Sequence, residues 1–193
     1  MKDVEIFGFA GSTYVRTARM VCEEKHVDYH LQPLEFGQES HRAVHPFLRM
    51  PVLRVGDDML YETLAIAMFI DEAFEGPRLA PDTPLARAQM LQWISTCNDY
   101  LYGDLVKSLL GNEPPANEVL ALARRDLEVV DRQLHDRPFL LGKEIYLCDL
   151  FLAPMIAFVD NSNAKSQLMR GLAGIAAWRD RLCSRASFAA TQS

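Results

Sequence analysis

Every strand signal in this chain lies before residue 62, and a proline-broken segment follows soon after. That segment is EGPRLAPDTPLA, which carries Pro77, Pro81 and Pro84. Before it, apolar runs are short and stopped by glycine; beyond it, apolar residues recur at spacings of three and four. A chain divided in this way cannot alternate strand and helix along its whole length, because its later part has no strands to contribute. The pattern predicts an α/β domain over residues 1–76, a linker over 77–84 and an all-helical domain over 85–193.

Within the first domain, residues 4–9 read as a buried strand ended by glycine. Residues 13–26 read as a helix, with Val15, Ala18, Val21 and Cys22 at helical spacing. VDYHLQPLEF has the β-branched and aromatic content of a second strand, and GQESHRAVHPFLRM reads as a loop. PVLRV and MLYE are two strands joined through Gly56-Asp57-Asp58, a tight hairpin signal. TLAIAMFIDEAF follows as an apolar helix. The legible order is βαβ, then ββα. In the second domain, helical periodicity covers 85–110, 117–134, 149–159 and 172–184.

Charge and cysteine usage exclude several function classes. The formal net charge is −6, and phosphate binding needs basic surface, so no nucleic-acid partner is expected. No run of about 18 uncharged apolar residues exists, so no membrane span is expected. The start, MKDVEIFGF, turns acidic at once and predicts no signal peptide. Cys22, Cys97, Cys148 and Cys183 lie far apart with no C-x-x-C pair, which fits a reducing cytoplasm. His41 and His45 stand four apart with no carboxylate or cysteine at ligand spacing; they read as surface histidines, and no metal is expected.

A βαβ unit followed by a hairpin and a helix is the thioredoxin-type arrangement, which places its working residues where the first strand enters the first helix. Here that place reads Ser12-Thr13-Tyr14-Val15, which excludes disulfide exchange and leaves an oxygen group in its stead. Ser12 reads by local sequence first as a helix cap, and the same position offers a hydroxyl for chemistry.

Three stretches together resemble the cytosolic glutathione S-transferase family. Ser12, Arg16 and ARMVCEEKHVDY resemble the serine-type phi, theta and zeta classes; counted back from Lys25, Ser12 falls at their serine and Thr13 and Tyr14 do not. HPFLRMPVLRVGDDMLYETLAIAMFID is similar to the N-P-x-x-x-V-P-x-L … E-S-x-A-I segment, with Pro51 at the cis-proline and Glu62-Thr63 at the Glu-Ser pair. RPFLLGKEIYLCDLFLAPMI is similar to the G-x-x-x-[ST]-x-A-D motif, keeping Asp149, and GIAAWRDRLCSRASFAA to the closing W-x-x-R … RPS segment. The resemblance implies a bacterial-type member with a thioredoxin-like α/β domain of βαβαββα type and an all-α helical bundle. It implies a cytoplasmic homodimer using glutathione as co-substrate, without a metal, on a small hydrophobic electrophile.

Glutathione must react as the thiolate. Lowering a thiol pKa of about 8.5 by about 2 units takes roughly 2.7 kcal/mol of preference for the anion. A hydroxyl hydrogen bond to a charged group supplies about 1.5–3 kcal/mol, and a partly buried helix N-terminus up to about 2. Ser12 offers both, with Arg16 one turn on as electrostatic support. By resemblance, the Met50 backbone before Pro51 holds the cysteinyl part of glutathione like an added strand. Glu62 and Thr63, opening a helix, suit the γ-glutamyl end, as a cap or as an anion site. His41, Arg42 and Arg49 are candidates for the glycyl carboxylate, His41 and Arg49 favoured. Tyr100 and Tyr102 are candidates for the electrophile pocket, against an equally regular reading of Trp93, Tyr100, Tyr102 and Leu105 as core.

The chain departs from the family at Tyr146, where a capping hydroxyl is usual, at Ala186, where proline is usual, and in lacking a helix signal after Ser184. The same site could serve peroxide reduction, dehalogenation or isomerisation. The alternative class is a transferase-like protein that has weak or no activity and binds other proteins.

Overall fold

The computed structural model describes residues 3–111 and 114–192. They pack as two compact units: Met1–Leu79 together with Arg185–Ser193, and Ala80–Ser184.

The first unit is a four-stranded mixed sheet with helices. Strand β1 (Val4–Phe7) leads through α1 (Thr13–Glu24) to β2 (His30–Gln32); a short α2 (Glu39–Val44) precedes β3 (Val52–Val55), β4 (Asp58–Tyr61) and α3 (Thr63–Ala73). The strand order is β2-β1-β3-β4, with β1 and β2 parallel and the other two pairings antiparallel. The parallel pair needs a crossover, and α1 supplies it. This is the thioredoxin-like fold expected from the sequence.

Register sets the core. Ile6 pairs with Leu53 and Val4 with Val55, so all four share one face of the sheet, and all four are buried. Val15, Ala18, Val21 and Cys22 of α1 and Ile66, Ala67 and Ile70 of α3 are fully buried in turn. Each of the valine, leucine and isoleucine side chains among them contributes about 1.5–3 kcal/mol. The loop expected between β2 and β3 contains α2 instead. Its apolar periodicity is absent because only His41 of its six residues is buried, so hydrophobic spacing could not reveal it.

The C-terminal ends of α1 and α3 are tied by a buried ion pair. Lys25 Nζ donates to Asp71 Oδ1 at 3.2 Å and to the Asp71 carbonyl at 2.9 Å, and both side chains are 2% exposed. Asp71 Oδ1 also accepts the Leu79 N–H at 2.8 Å, which pins the start of the linker.

The second unit is all helical: α4 (Pro84–Thr96), α5 (Asn117–Leu134), α6 (Leu147–Asp160), α7 (Lys165–Leu168) and α8 (Ala173–Cys183). Thr83 caps α4 with Pro84 at its first position. The single helix expected over 85–110 changes winding at Cys97 and continues as a π-helix to Val106. α6 is buried on nearly every side and forms the centre of this unit. Its Asp149 accepts from the N–H groups of Leu140 and Tyr146 and from Trp178 Nε1, at 2.9, 3.2 and 2.9 Å. The Tyr146 side chain makes no cap bond, as the departure from a capping hydroxyl at this position predicts, and Asp149 alone closes the α6 N-terminus by accepting the Tyr146 N–H.

The sequence shows no helix signal after Ser184, but a five-residue helix, α9 (Ala186–Ala190), does form and packs on α1. Its residues Ser187 and Phe188 carry too short a pattern for periodicity to register.

Candidate functional site

The turn from β1 into α1 is built around a glycine. A Cβ on Gly8 would fall 2.4 Å from Val15 Cγ2 and 3.5 Å from Met50 Cβ. The Val15 clash and a φ of +154° call for a residue without a side chain at this close approach of β1 to α1, whereas the Met50 distance is ordinary contact. Sequence reading placed Gly8 inside the strand and missed this role; a lone glycine in a strand run was the available signal.

Ser12 caps α1 from extended backbone, with φ −71° and ψ 128°. Its N–H donates to the Phe9 carbonyl at 3.1 Å, and its Oγ accepts from the Val15 N–H at 3.4 Å. Its carbonyl accepts the first intrahelical bond, from the Arg16 N–H at 2.9 Å. A hydroxyl that accepts keeps its proton to donate. Among the described residues nothing accepts that proton. The first turn of α1 carries no carboxylate, so its amides and dipole face no competing negative charge.

The Met50–Pro51 peptide bond is cis, as the resemblance implies. Met50 is half-buried, and among the described residues its N–H and C=O have no hydrogen-bond partner. Two residues on, Val52 enters the sheet opposite Phe7. Glu62, at the N-cap of α3, adopts φ +71°, ψ 117°, a region costly for a residue with a Cβ. Its side chain does not cap the helix, and it is exposed; Thr63 beside it is buried. The first amides of α3 are therefore without a side-chain cap, in a helix whose first turn also lacks acid.

His41 and His45 are not on the surface, where the sequence placed them; they are 0% and 1% exposed. His41 Nδ1 accepts from the Gly37 N–H at 3.2 Å and Nε2 meets the Arg49 carbonyl at 2.9 Å, a pairing that fits the Nε2–H tautomer. Both ring nitrogens are thus used to brace the loop. His45 Nδ1 accepts from the Phe47 N–H at 3.2 Å, and its ring lies 4.8 Å from that of Tyr61. Burial holds the His45 pKa below its usual value, against the raising field of Glu62. Phe36, Phe47 and Tyr61 stand exposed around the two imidazoles. Arg42 and Arg49 are exposed.

Arg16 is buried at 8% exposure. Its guanidinium donates to the Phe188 carbonyl at 3.2 Å and to Thr191 Oγ1 at 3.4 Å, and lies 4.4 Å over the Phe188 ring. The thiols of Cys22, Cys97 and Cys148 are buried, and burial pushes all three up, so none is a thiolate near neutral pH. In the helical unit, Trp93 and Leu105 belong to the core, whereas Tyr100 is 62% exposed and Tyr102 half-buried with Lys107 Nζ 5.5 Å over its ring. Tyr100, Tyr102 and Leu105 lie in the π-wound stretch, where a period of 3.6 no longer holds.

The unit is thioredoxin-like, with a serine-capped first helix, a cis-proline before β3 and a helix opened by Glu62-Thr63. Comparison with known proteins agrees. Residues 6–78 match the profile "Glutathione S-transferase, N-terminal domain", and residues 88–181 match "Glutathione S-transferase, C-terminal domain". The chain belongs to the glutathione S-transferase family. It is 26% identical to glutathione S-transferase 3 of Zea mays, over 99% of this chain and 94% of that one. Its fold matches poplar glutathione transferase F1 with a TM-score of 0.86 at 24% identity, covering 99% and 97% of the two chains. It matches a theta-class glutathione S-transferase of Xanthomonas axonopodis pv. citri, solved with glutathione bound, with a TM-score of 0.86 at 22% identity and the same coverage.

Proposed function

We propose that this chain is a serine-type glutathione transferase, in which the Ser12 hydroxyl donates a hydrogen bond to the glutathione thiolate, the thiol proton leaving to water, and so lowers the thiol pKa for attack on small apolar electrophiles. The observation that carries this reading is the Ser12 hydroxyl itself: it accepts from Val15 at the α1 N-terminus and retains a proton with no acceptor among the described residues. Cap and catalyst are then one group, and no general base is required.

The remaining assignments follow from exposed bonding capacity. The unpartnered N–H and C=O of Met50 would take the cysteinyl segment as an added strand. The uncapped amides of α3, with Thr63, would receive the γ-glutamyl carboxylate, and Glu62 would pair with its amino group. For the glycyl carboxylate we favour Arg49, which is exposed, with His41 acting on it by holding its carbonyl. Tyr100 and Tyr102 are our candidates for the electrophile contact. We read the protein as cytoplasmic and homodimeric, supported for the dimer by the exposed rings of Phe36, Phe47 and Tyr61. Peroxide reduction, dehalogenation and isomerisation draw on the same thiolate and belong to a substrate screen.

The test is ultraviolet titration of the bound glutathione thiolate in wild type and Ser12→Ala. A lowered thiol pKa in wild type that is lost in the variant is the expected result. Binding with the same thiol pKa in both would remove Ser12 from the chemistry. Absence of glutathione binding would leave the scaffold as a protein-binding module.

A further inference from the structure

The segment after Ser184 turns back onto α1 and engages three charged side chains over that helix. Glu24 accepts from Arg185 Nε and Nη2, at 2.7 and 2.5 Å, and from the Ser187 hydroxyl. Arg19 donates to the carbonyls of Ala190, the last residue of α9, and Thr191, just beyond it, at 3.2 and 3.4 Å. Arg16 takes the Phe188 carbonyl, the Phe188 ring and Thr191 Oγ1. Thr191 spends its own proton on the Ser187 carbonyl at 2.8 Å, which turns its oxygen's acceptor side to Arg16.

The two elements depend on each other. A helix of five residues is far below the roughly 12–15 needed for stability alone, so α9 is ordered by α1. In return, Arg16, Glu24, Ser187, Phe188 and Thr191 are all buried together, and the charges of α1 that have lost water are met by polar partners of this segment. The consequence reaches Ser12 through one bond, because the Arg16 N–H closes the first turn of α1 on the Ser12 carbonyl.

We infer that the segment from Arg185 to Thr191 is a strap that sets the position of Ser12 through Arg16, which makes Arg16 a positioning residue. This rests on the reading of Ser12 as the thiolate donor. The strap acts on the aim of one hydroxyl, while Met50, Glu62 and Thr63 hold glutathione from other elements. Its loss therefore lowers turnover without weakening glutathione binding.

The experiment uses the full chain with Phe188→Ala and Thr191→Val, singly and combined, which leave the Arg16 charge in place, and Arg16→Lys, which keeps a charge but not the planar two-sided donor. The expected result is a kcat about tenfold lower in the double variant, with KM for glutathione within about twofold, and a bound-thiol pKa raised toward that of free glutathione. Arg16→Lys should behave like the strap variants. Wild-type kcat in the strap variants, a rise in KM alone, or full activity in Arg16→Lys would each overturn the inference. Should the double variant not fold, Thr191→Val carries the test with amide exchange at Val15 and Arg16, whose N–H groups both bond Ser12. Faster exchange there supports the strap and unchanged exchange refutes it, even if wild type proves not to lower the thiol pKa and the reading of Ser12 itself fails.

Discussion

The two helices that open onto the candidate site begin in opposite ways. α1 starts from Ser12 in relaxed extended backbone, with a side-chain cap in place; α3 starts from Glu62 at φ +71°, with none. A serine or asparagine at position 62 would be an easier start for α3, and its absence leaves bare amides. One N-terminus thus keeps a hydroxyl proton to give away, and the other keeps backbone N–H groups uncovered. The first arrangement suits a single sulfur anion, the second a carboxylate with room for two oxygens.

Both N-termini depend on a shared anchor at the far ends of their helices. Lys25 follows α1 and Asp71 lies in the last turn of α3, and their ion pair is buried. Asp71→Ala leaves the Lys25 charge uncompensated and the Leu79 amide without its acceptor. It should cost about 3–5 kcal/mol, the largest effect expected, read as a shift in denaturant midpoint. An unchanged midpoint would mean that the two helices are held by apolar packing alone.

Ser12→Ala breaks the comparison on the α1 side. It should lower kcat/KM by about 100-fold, in step with roughly 2.7 kcal/mol of lost thiolate preference, while costing only about 1 kcal/mol of stability as a lost cap. A stability loss without a kinetic loss would leave Ser12 as a cap only. Glu62→Gly sharpens the comparison on the α3 side. Relieving the positive φ should stabilise the fold by about 1 kcal/mol, while KM for glutathione rises about tenfold. If stability and affinity both improve, the strained backbone serves nothing in this site.

The difference between the two N-termini also explains how far the sequence could be read. The strands, α1 and α3 announce themselves, because Val4, Ile6, Leu53 and Val55 alternate across one sheet face and the helices carry apolar stripes. Ser12, Pro51 and Thr63 stand at places a local pattern can mark. Glu62's positive φ cannot be seen, since the residue type argues against it. Nor can the burial of His41 and His45, whose ring nitrogens take backbone partners at Gly37, Arg49 and Phe47 while the rings of Phe36, Phe47 and Tyr61 lie around them. The contact that reassigns Arg16 lies more than 170 residues away in the chain. Helical spacing cannot report a partner at that distance, and α9 is too short to be noticed.

The smallest effect concerns Glu24, which joins α1 to the strap and has no counterpart on α3. Burial pushes its carboxyl up, but the hydrogen bonds from Arg185 and Ser187 and the Arg185 charge outweigh it and hold the pKa below the usual 4.5. A carboxyl depressed in the folded state stabilises the fold above its unfolded pKa and loses that contribution as pH falls through the folded value. Wild type should therefore exceed Glu24→Gln in stability near neutral pH, and the gap should close only as pH drops below about 4.5. Thermal unfolding of both proteins across that range reads the gap directly. A gap independent of pH would mean that Glu24 holds the strap by shape and hydrogen bonding, with its charge contributing nothing, and α1 would then differ from α3 in packing rather than in electrostatics.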